Sequence, residues 1–392
     1  MIRILRILFC LYLALSLPEA LHAQEPIPSF GAEGKLTIEH YNPYISATAS
    51  TMASSGEILI GGSISDPSNT GKFKTYIAKL LANGQLDENF GTKGFVYLDL
   101  GNNYEQVKKI LALPNGKFMV GHEYTDTRVA MAISRLNEDG SLDKTFAQQG
   151  WLTYPSAFGD FDVYPDGSIL VAPALPDTRQ FRLIKFSASG TIDHSYPSYF
   201  SADGEIRPTY LKILEDGRLL LAGYYANQYL STSQKAFIGR SLANGRNDET
   251  FGTQGLTKLE TTEGFIAREV KVMIKSDGNL TVLANGHISV LLAQIETNGA
   301  ITKGFNEGRP KLFQSRTHDF IPTDTKLDTQ GNILLAGITK DTRGTYQFGG
   351  RRILANGNFD QNFGYAGKLE VETQLLRNET LIITLLSDQQ IL

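Results

Sequence analysis

Residues 81–94 read Leu-Ala-Asn-Gly-Gln-Leu-Asp-Glu-Asn-Phe-Gly-Thr-Lys-Gly, and variants of this phrase recur along the chain. They run from Leu136 to Gly150 (LNEDGSLDKTFAQQG), Phe186 to Tyr196 (FSASGTIDHSY), Leu242 to Gly255 (LANGRNDETFGTQG), Ile295 to Gly308 (IETNGAITKGFNEG) and Leu354 to Gly367 (LANGNFDQNFGYAG). Their turn glycines, Gly84, Gly140, Gly190, Gly245, Gly299 and Gly357, are 56, 50, 55, 54 and 58 residues apart. A period in this range marks units that stack or close into a ring, because one unit cannot bury its apolar face alone.

Working outward from the phrase, the intervening segments are short, apolar or alternating, and bounded by turn dipeptides, which predicts strands. In the first full unit, Ile45 to Ala53 is strand A, Glu57 to Gly62 strand B, Phe73 to Leu81 strand C and Gly94 to Leu100 strand D. Asn83-Gly84 is a hairpin signal, because both residues accept positive φ at low cost. The A–B turn also repeats, at Pro114-Asn115-Gly116, Pro165-Asp166-Gly167, Glu215-Asp216-Gly217, Ser276-Asp277-Gly278 and Thr329-Gln330-Gly331. Four antiparallel strands per unit predict an all-β fold, a β-propeller, with a solenoid as runner-up.

These phrases resemble those of the delta-60 repeat proteins, a bacterial β-propeller family with an L-x-x-x-G-x-L-D-x-x-F-G-x-x-G phrase and a D-G-K-I-L-V-x-G phrase. The resemblance extends from about Phe30 to the C-terminus, with the best copies at 81–94, 242–255 and 354–367. Tyr196-Pro197 replaces Phe-Gly in the third copy, and Thr302 stands where the fifth copy should have Asp. The resemblance implies a fold and export; it implies no activity.

Phe-Gly-type motifs begin at seven positions: Phe30, Phe90, Phe146, Tyr196, Phe251, Phe305 and Phe363. With Ser387-Asp388-Gln389 as a last A–B turn, the expectation is seven blades of four antiparallel strands. The last blade is incomplete and closed by an N-terminal strand, Gly34 to His40. A truncated gene product is a third possibility beside a binding module and an enzyme.

The repeated aspartates Asp87, Asp143, Asp193, Asp248 and Asp360 are isolated, one per unit. A calcium site needs several converging oxygens. Carboxylates that accept backbone N–H groups of the following turn fit the pattern better, so these aspartates are read as structural. The histidines are scattered, without metal-binding spacing, and no nucleophile elbow or phosphate-binding glycine loop occurs. The expectation is no catalytic residue, no metal and no cofactor.

In an antiparallel unit the A–B and C–D turns share one end, and the B–C and D–A loops share the other. The second set varies in sequence, which makes it the candidate recognition surface. Its candidate binding residues are Tyr224, Tyr225 and Tyr229 in the loop 224–235, and Arg316 and His318 in the loop 314–319. A competing assignment packs two of the three tyrosines against neighbouring blades.

Residues 1–23 read as a secretory signal: Arg3 and Arg6, an apolar run from Ile7 to Leu17, and a cleavage site after Ala23. Cys10, the one cysteine, lies inside it, so disulfides are not expected to hold residues 24–392, which are taken as one propeller domain. Removing the signal takes the formal charge from −4 to −5. With no basic run, a nucleic-acid partner is not expected. The functional expectation is an exported, non-enzymatic binding or scaffold module in the periplasm, on the bacterial surface or outside the cell. It is expected to be a monomer without a membrane span, with an unidentified protein or glycan partner. The alternative is a polysaccharide hydrolase or lyase with acids near the propeller axis.

Overall fold

The computed structural model describes residues 45–66, 71–101, 104–125, 127–174, 180–196, 200–201, 205–226, 234–261, 265–286, 289–314, 320–328, 330–340, 346–364 and 367–371. Among them the fold is an all-β propeller of six blades. Blade one is β1 (Ile45–Met52), β2 (Ile58–Ser65), β3 (Phe73–Leu80) and β4 (Phe95–Leu98), hydrogen-bonded in that order. Blade two repeats it with β5 (Tyr104–Ala112), β6 (Phe118–Thr125), β7 (Val129–Leu136) and β8 (Trp151–Tyr154). Blade three is split. Its β9 (Ala157–Val163), β10 (Ile169–Ala174) and β12 (Ile184–Phe186) form one sheet, and β11 (Gln180–Phe181) and β13 (Phe200–Ser201) form a two-stranded one. Blade four is β14 (Glu205–Ile213), β15 (Leu219–Ala226), β16 (Gln234–Ser241) and β17 (Leu256–Leu259). Blade five is β18 (Glu269–Ile274), β19 (Leu280–Asn285), β20 (Ser289–Ile295) and β21 (Lys311–Gln314). Blade six is β22 (Phe320–Leu327), β23 (Ile333–Lys340), β24 (Tyr346–Ile353) and β25 (Leu369–Val371).

The blade count corrects the expectation of seven. The seventh was inferred from half-motifs at both ends, and residues 34–40 and 387–392 lie outside the described residues. A motif is a turn; a blade also needs partner strands to take up its backbone N–H and C=O groups. Blade three departs from uniformity at Pro173, which lies within its second strand, at the register shift between Ala172 and Ala174, and has no N–H to donate. Pairing of β10 with β12 covers only Ile169–Val171, whereas the equivalent β15 pairs with β16 from Leu219 to Ala226.

Burial follows strand position. The second strand of each blade has a sheet neighbour on both sides, and β2 is buried along Ile58–Ile64, where Ser63 is the one polar side chain. The edge strand β4 alternates instead, with Val96 and Leu98 buried and Tyr97 exposed. Gly62 must be glycine, because a Cβ there would lie 1.7 Å from the Ser46 carbonyl oxygen of β1. That close approach accompanies a bulge between Ala47 and Ala49, and the extra residue, Thr48, turns its hydroxyl to the Val107 carbonyl of blade two.

The described residues form two compact units, one within 45–155, 323–352 and 359–371, the other within 156–322 and 353–358. In the first, Leu59, Ile77, Phe90, Val107, Val120 and Leu136 join blades one and two in one core. In the second, one core joins blades three and four through Leu170, Ile206, Leu211 and Phe237, and another joins blades four and five through Leu220, Ile238, Phe251, Val270 and Val282.

Candidate functional site

The repeated aspartates sit in a common environment at the turn between the third and fourth strands. One oxygen of each accepts the N–H two residues on: Asn89 at 3.2 Å, Thr145 at 3.1 Å, Ser195 at 3.0 Å, Thr250 at 3.1 Å and Asn362 at 2.9 Å. Except at Asp193, the other oxygen meets a cation eight residues earlier on the third strand: Lys79 (3.2 Å), Arg135 (2.7 Å), Arg240 (2.7 Å) and Arg352 (2.7 Å). The guanidinium carbons then lie 4.7 Å from the ring centre of Phe146, 4.8 Å from Phe251 and 5.1 Å from Phe363. Each cation is thus held between a carboxylate and the phenyl ring of the Phe-Gly motif. Lys185 is looser. It lies over the Tyr164 and Tyr196 rings and acts on Asp193 through its charge.

Burial works against the charge on Asp143, but hydrogen bonds from Lys117 and Thr145 and the Arg135 charge outweigh it and hold the carboxyl well below its usual range. Asp248 is lowered in the same way, with Thr250 and Arg240 overcoming burial.

Blade five tests the logic of this cluster. With Thr302 in place of the acid, a cation eight residues earlier would be left unpaired in a buried position, and Gln294 stands there instead. Its amide donates to the Ala355 carbonyl at 2.8 Å. The backbone bond from Thr302 N–H to the Gln294 carbonyl persists at 2.8 Å, matching Asp248 N–H to Arg240 at 2.9 Å. Sequence reasoning missed this cation, although Lys79, Arg135, Lys185, Arg240 and Arg352 repeat at a fixed distance ahead of the aspartates. The motif also clips blades together. Gly252 N–H donates to Asn298, Gly91 N–H to Asp139, and Arg240 Nη1 to Thr297 of the following blade.

The tyrosine candidates divide. Tyr225, on β15, is buried at 3 % exposure; its hydroxyl donates to Glu260 Oε1 at 3.3 Å, and the Lys258 ammonium lies over its ring. Burial, then the Glu260 charge, push its phenol up. Tyr224 is half-buried and packs against the core between blades four and five. Both rings are therefore engaged in packing. Tyr229, Arg316 and His318 lie outside the described residues.

His122 of β6 is fully buried. Its Nε2 lies 2.6 Å from Ser134 Oγ, Nδ1 has no partner, and burial pushes its pKa down to about 3. A depression of about 860 Å³ opens between blades four and five, lined by Thr250, Thr253, Gln254, Thr257, Lys258 and Asn298 among others. Among the described residues, no three His, Cys, Asp or Glu side chains converge as a metal site, and no helix is long and apolar enough to cross a membrane.

The profile "Domain of unknown function (DUF5122) beta-propeller" matches residues 53–90 and 113–146, within blades one and two. Together with the blades, the match supports a β-propeller family. No curated protein matches the sequence. Similar solved structures include a protein of unknown function from Dyadobacter fermentans DSM 18053, 14% identical, with a TM-score of 0.48 over 78% of this chain and 94% of the other. A PL25 ulvan lyase bound to -[GlcA(1-4)Rha3S]- is 11% identical, with a TM-score of 0.49 over 79% of this chain and 81% of its own. The soluble aldose sugar dehydrogenase of Escherichia coli is 13% identical, with a TM-score of 0.40 over 74% and 93% of the respective chains. At these identities and scores the likenesses carry no argument about activity.

Proposed function

We propose that this chain is an exported, non-enzymatic propeller of the delta-60 repeat type, acting as a binding or scaffold module at the bacterial envelope or outside the cell. The observation that carries the reading is the contrast between the two ends of the blades. All six connections between first and second strands are five residues long: 53–57, 113–117, 164–168, 214–218, 275–279 and 328–332. In each, the glycine N–H closes the turn onto a carbonyl three residues earlier. At the other end, second-to-third connections range from 126–128 to 66–72, and connections to the next blade from 155–156 to 260–268. Loops that vary on a constant scaffold are where recognition concentrates. The aspartates, by contrast, are occupied by their own turns and cations, which suits a structural role better than a chemical one.

The test is retention of the purified protein on isolated envelope material. Its comparison is a variant in which 66–72 and 227–233 are each shortened to three residues, a length the scaffold already uses at 126–128 and 286–288. Retention is expected to fall in the variant, with no soluble product released. Equal retention, or release of saccharide or peptide fragments, refutes the reading.

A further inference from the structure

Three places after the turn glycine, the second strand of a blade buries an apolar side chain, with one exception. Leu59, Met119, Leu170, Leu220 and Leu334 hold this position in five blades, each no more than 4% exposed. Blade five has Thr281 there, 0% exposed, and its Oγ1 has no hydrogen-bond partner. A hydroxyl sealed in a core without a partner costs stability, so the fold itself gains nothing from it. The hydroxyl has a use in the sequence instead. Asp277-Gly278-Asn279-Leu280-Thr281 contains Asn-x-Thr, the acceptor for glycan transfer to asparagine in an exported chain. Asn-x-Thr recurs at Asn378, outside the described residues, but there Leu376 stands where Asp277 stands here. Asn279 is half-buried beside the exposed residues 276–278, on the connection from β18 to β19, at the end of blade five opposite its variable loops. Its Nδ2 donates one hydrogen to Asp277 Oδ2 at 2.8 Å, and its Oδ1 accepts the Thr297 N–H at 3.2 Å. An amide nitrogen carries two hydrogens, so the second is left for substitution. Asn332, at the same place in blade six, is followed by Leu334 in place of Thr, and it is buried on Asp328 at 7% exposure.

We propose that Asn279 is a glycosylation site, loaded during export from an oligosaccharide carried on a lipid pyrophosphate. This rests on the reading of the chain as exported. In the transfer, Asn279 Nδ2 attacks the anomeric carbon of the first sugar. The C–N bond forms as the C–O bond breaks, the lipid pyrophosphate leaves, and the amide gives up one proton. The Thr281 hydroxyl is the group by which the transferase recognises the acceptor, and Asp277 extends that acceptor on the other side of the asparagine. Thr281 is sealed in the folded blade, so transfer precedes the folding of blade five. The turn then holds the substituted asparagine through the same Asp277 and Thr297 bonds. The glycan projects from the end of the blade that the variable loops do not occupy.

The experiment is mass spectrometry of the full chain purified from the cells that produce it, read as the intact mass and as the tryptic peptide 276–303. Residues 1–23 are expected to be absent, and fragment ions are expected to place a glycan on Asn279. Thr281→Val should abolish the modification, and Thr281→Ser should retain it. Produced without residues 1–23, so that neither is modified, Thr281→Val should melt no lower than the native sequence, because no hydrogen bond is lost. A lower melting temperature would give the hydroxyl a structural use and overturn the argument. An unmodified 276–303 on a chain that has lost residues 1–23, or modification that survives Thr281→Val, overturns the site alone. Retention of residues 1–23 refutes export, and the site with it.

Discussion

Replacing Asp248 with Thr removes the counter-ion of a guanidinium that is nearly enclosed, since the Arg240 side chain is 8% exposed and that of Asp248 5%. Breaking a buried pair by deleting one partner costs about 3–5 kcal/mol. Arg240 would keep its bonds to Thr297 and Thr250 and its place over Phe251, so the lower end, about 3 kcal/mol, is expected. Arg240→Gln should cost about 2 kcal/mol, less because Asp248 keeps the Thr250 hydrogen bonds and has Arg218 3.6 Å away. The double variant recreates the Gln294 and Thr302 combination of blade five, in which no charge is buried and the backbone bond between the two positions remains. Its cost should be about 2 kcal/mol, leaving a coupling of about 3 kcal/mol between the two sites. Urea unfolding of the native protein, both single variants and the double variant measures it. Additivity to within about 0.5 kcal/mol would refute the argument that blade five lost its cation because it lost its acid.

Other outcomes follow from the same structure. His122 has a folded pKa of about 3 against about 6.5 for the unfolded chain, so its neutral form favours folding. Its contribution is complete above about pH 6.5 and is lost at about 1.4 kcal/mol per pH unit as pH falls toward 3; His122→Leu should flatten that part of the stability curve in urea titrations. Gly62→Ala would force a Cβ against the Ser46 carbonyl and should cost about 2–3 kcal/mol, whereas Gly304→Ala, with open space at its Cβ, should stay within about 0.5 kcal/mol of native by thermal melting. Asp248 has one oxygen engaged by Thr250 and the other by Arg240, so EDTA should leave the melting temperature unchanged; a fall restored by calcium would reassign the aspartates as ligands.

The blade was legible because its turns are chemically demanding. Gly84, Gly140, Gly245 and Gly357 all adopt positive φ, and the Asn or Asp before each caps the turn, a constraint visible in residue identity alone. The aspartates were legible as isolated carboxylates. Their cations were not, because the eight residues between them run from one strand into the following turn, and the two side chains meet only when that turn folds back on the strand. The irregularity of blade three has a visible counterpart in Pro173, whereas the end motifs that suggested a seventh blade lie outside the described residues.

By itself the sequence determined the repeating unit, its strand order and its turn geometry, since those depend on neighbours a few residues apart. Tertiary structure decided which aromatic rings are consumed by packing and which are left exposed. Tyr225 is buried and bonded to Glu260, while Tyr104 lies open against Phe73, although both lie at the variable ends of their blades. Exposure depends on what the adjoining strands and blade bring against a ring, and those contacts join residues tens of positions apart.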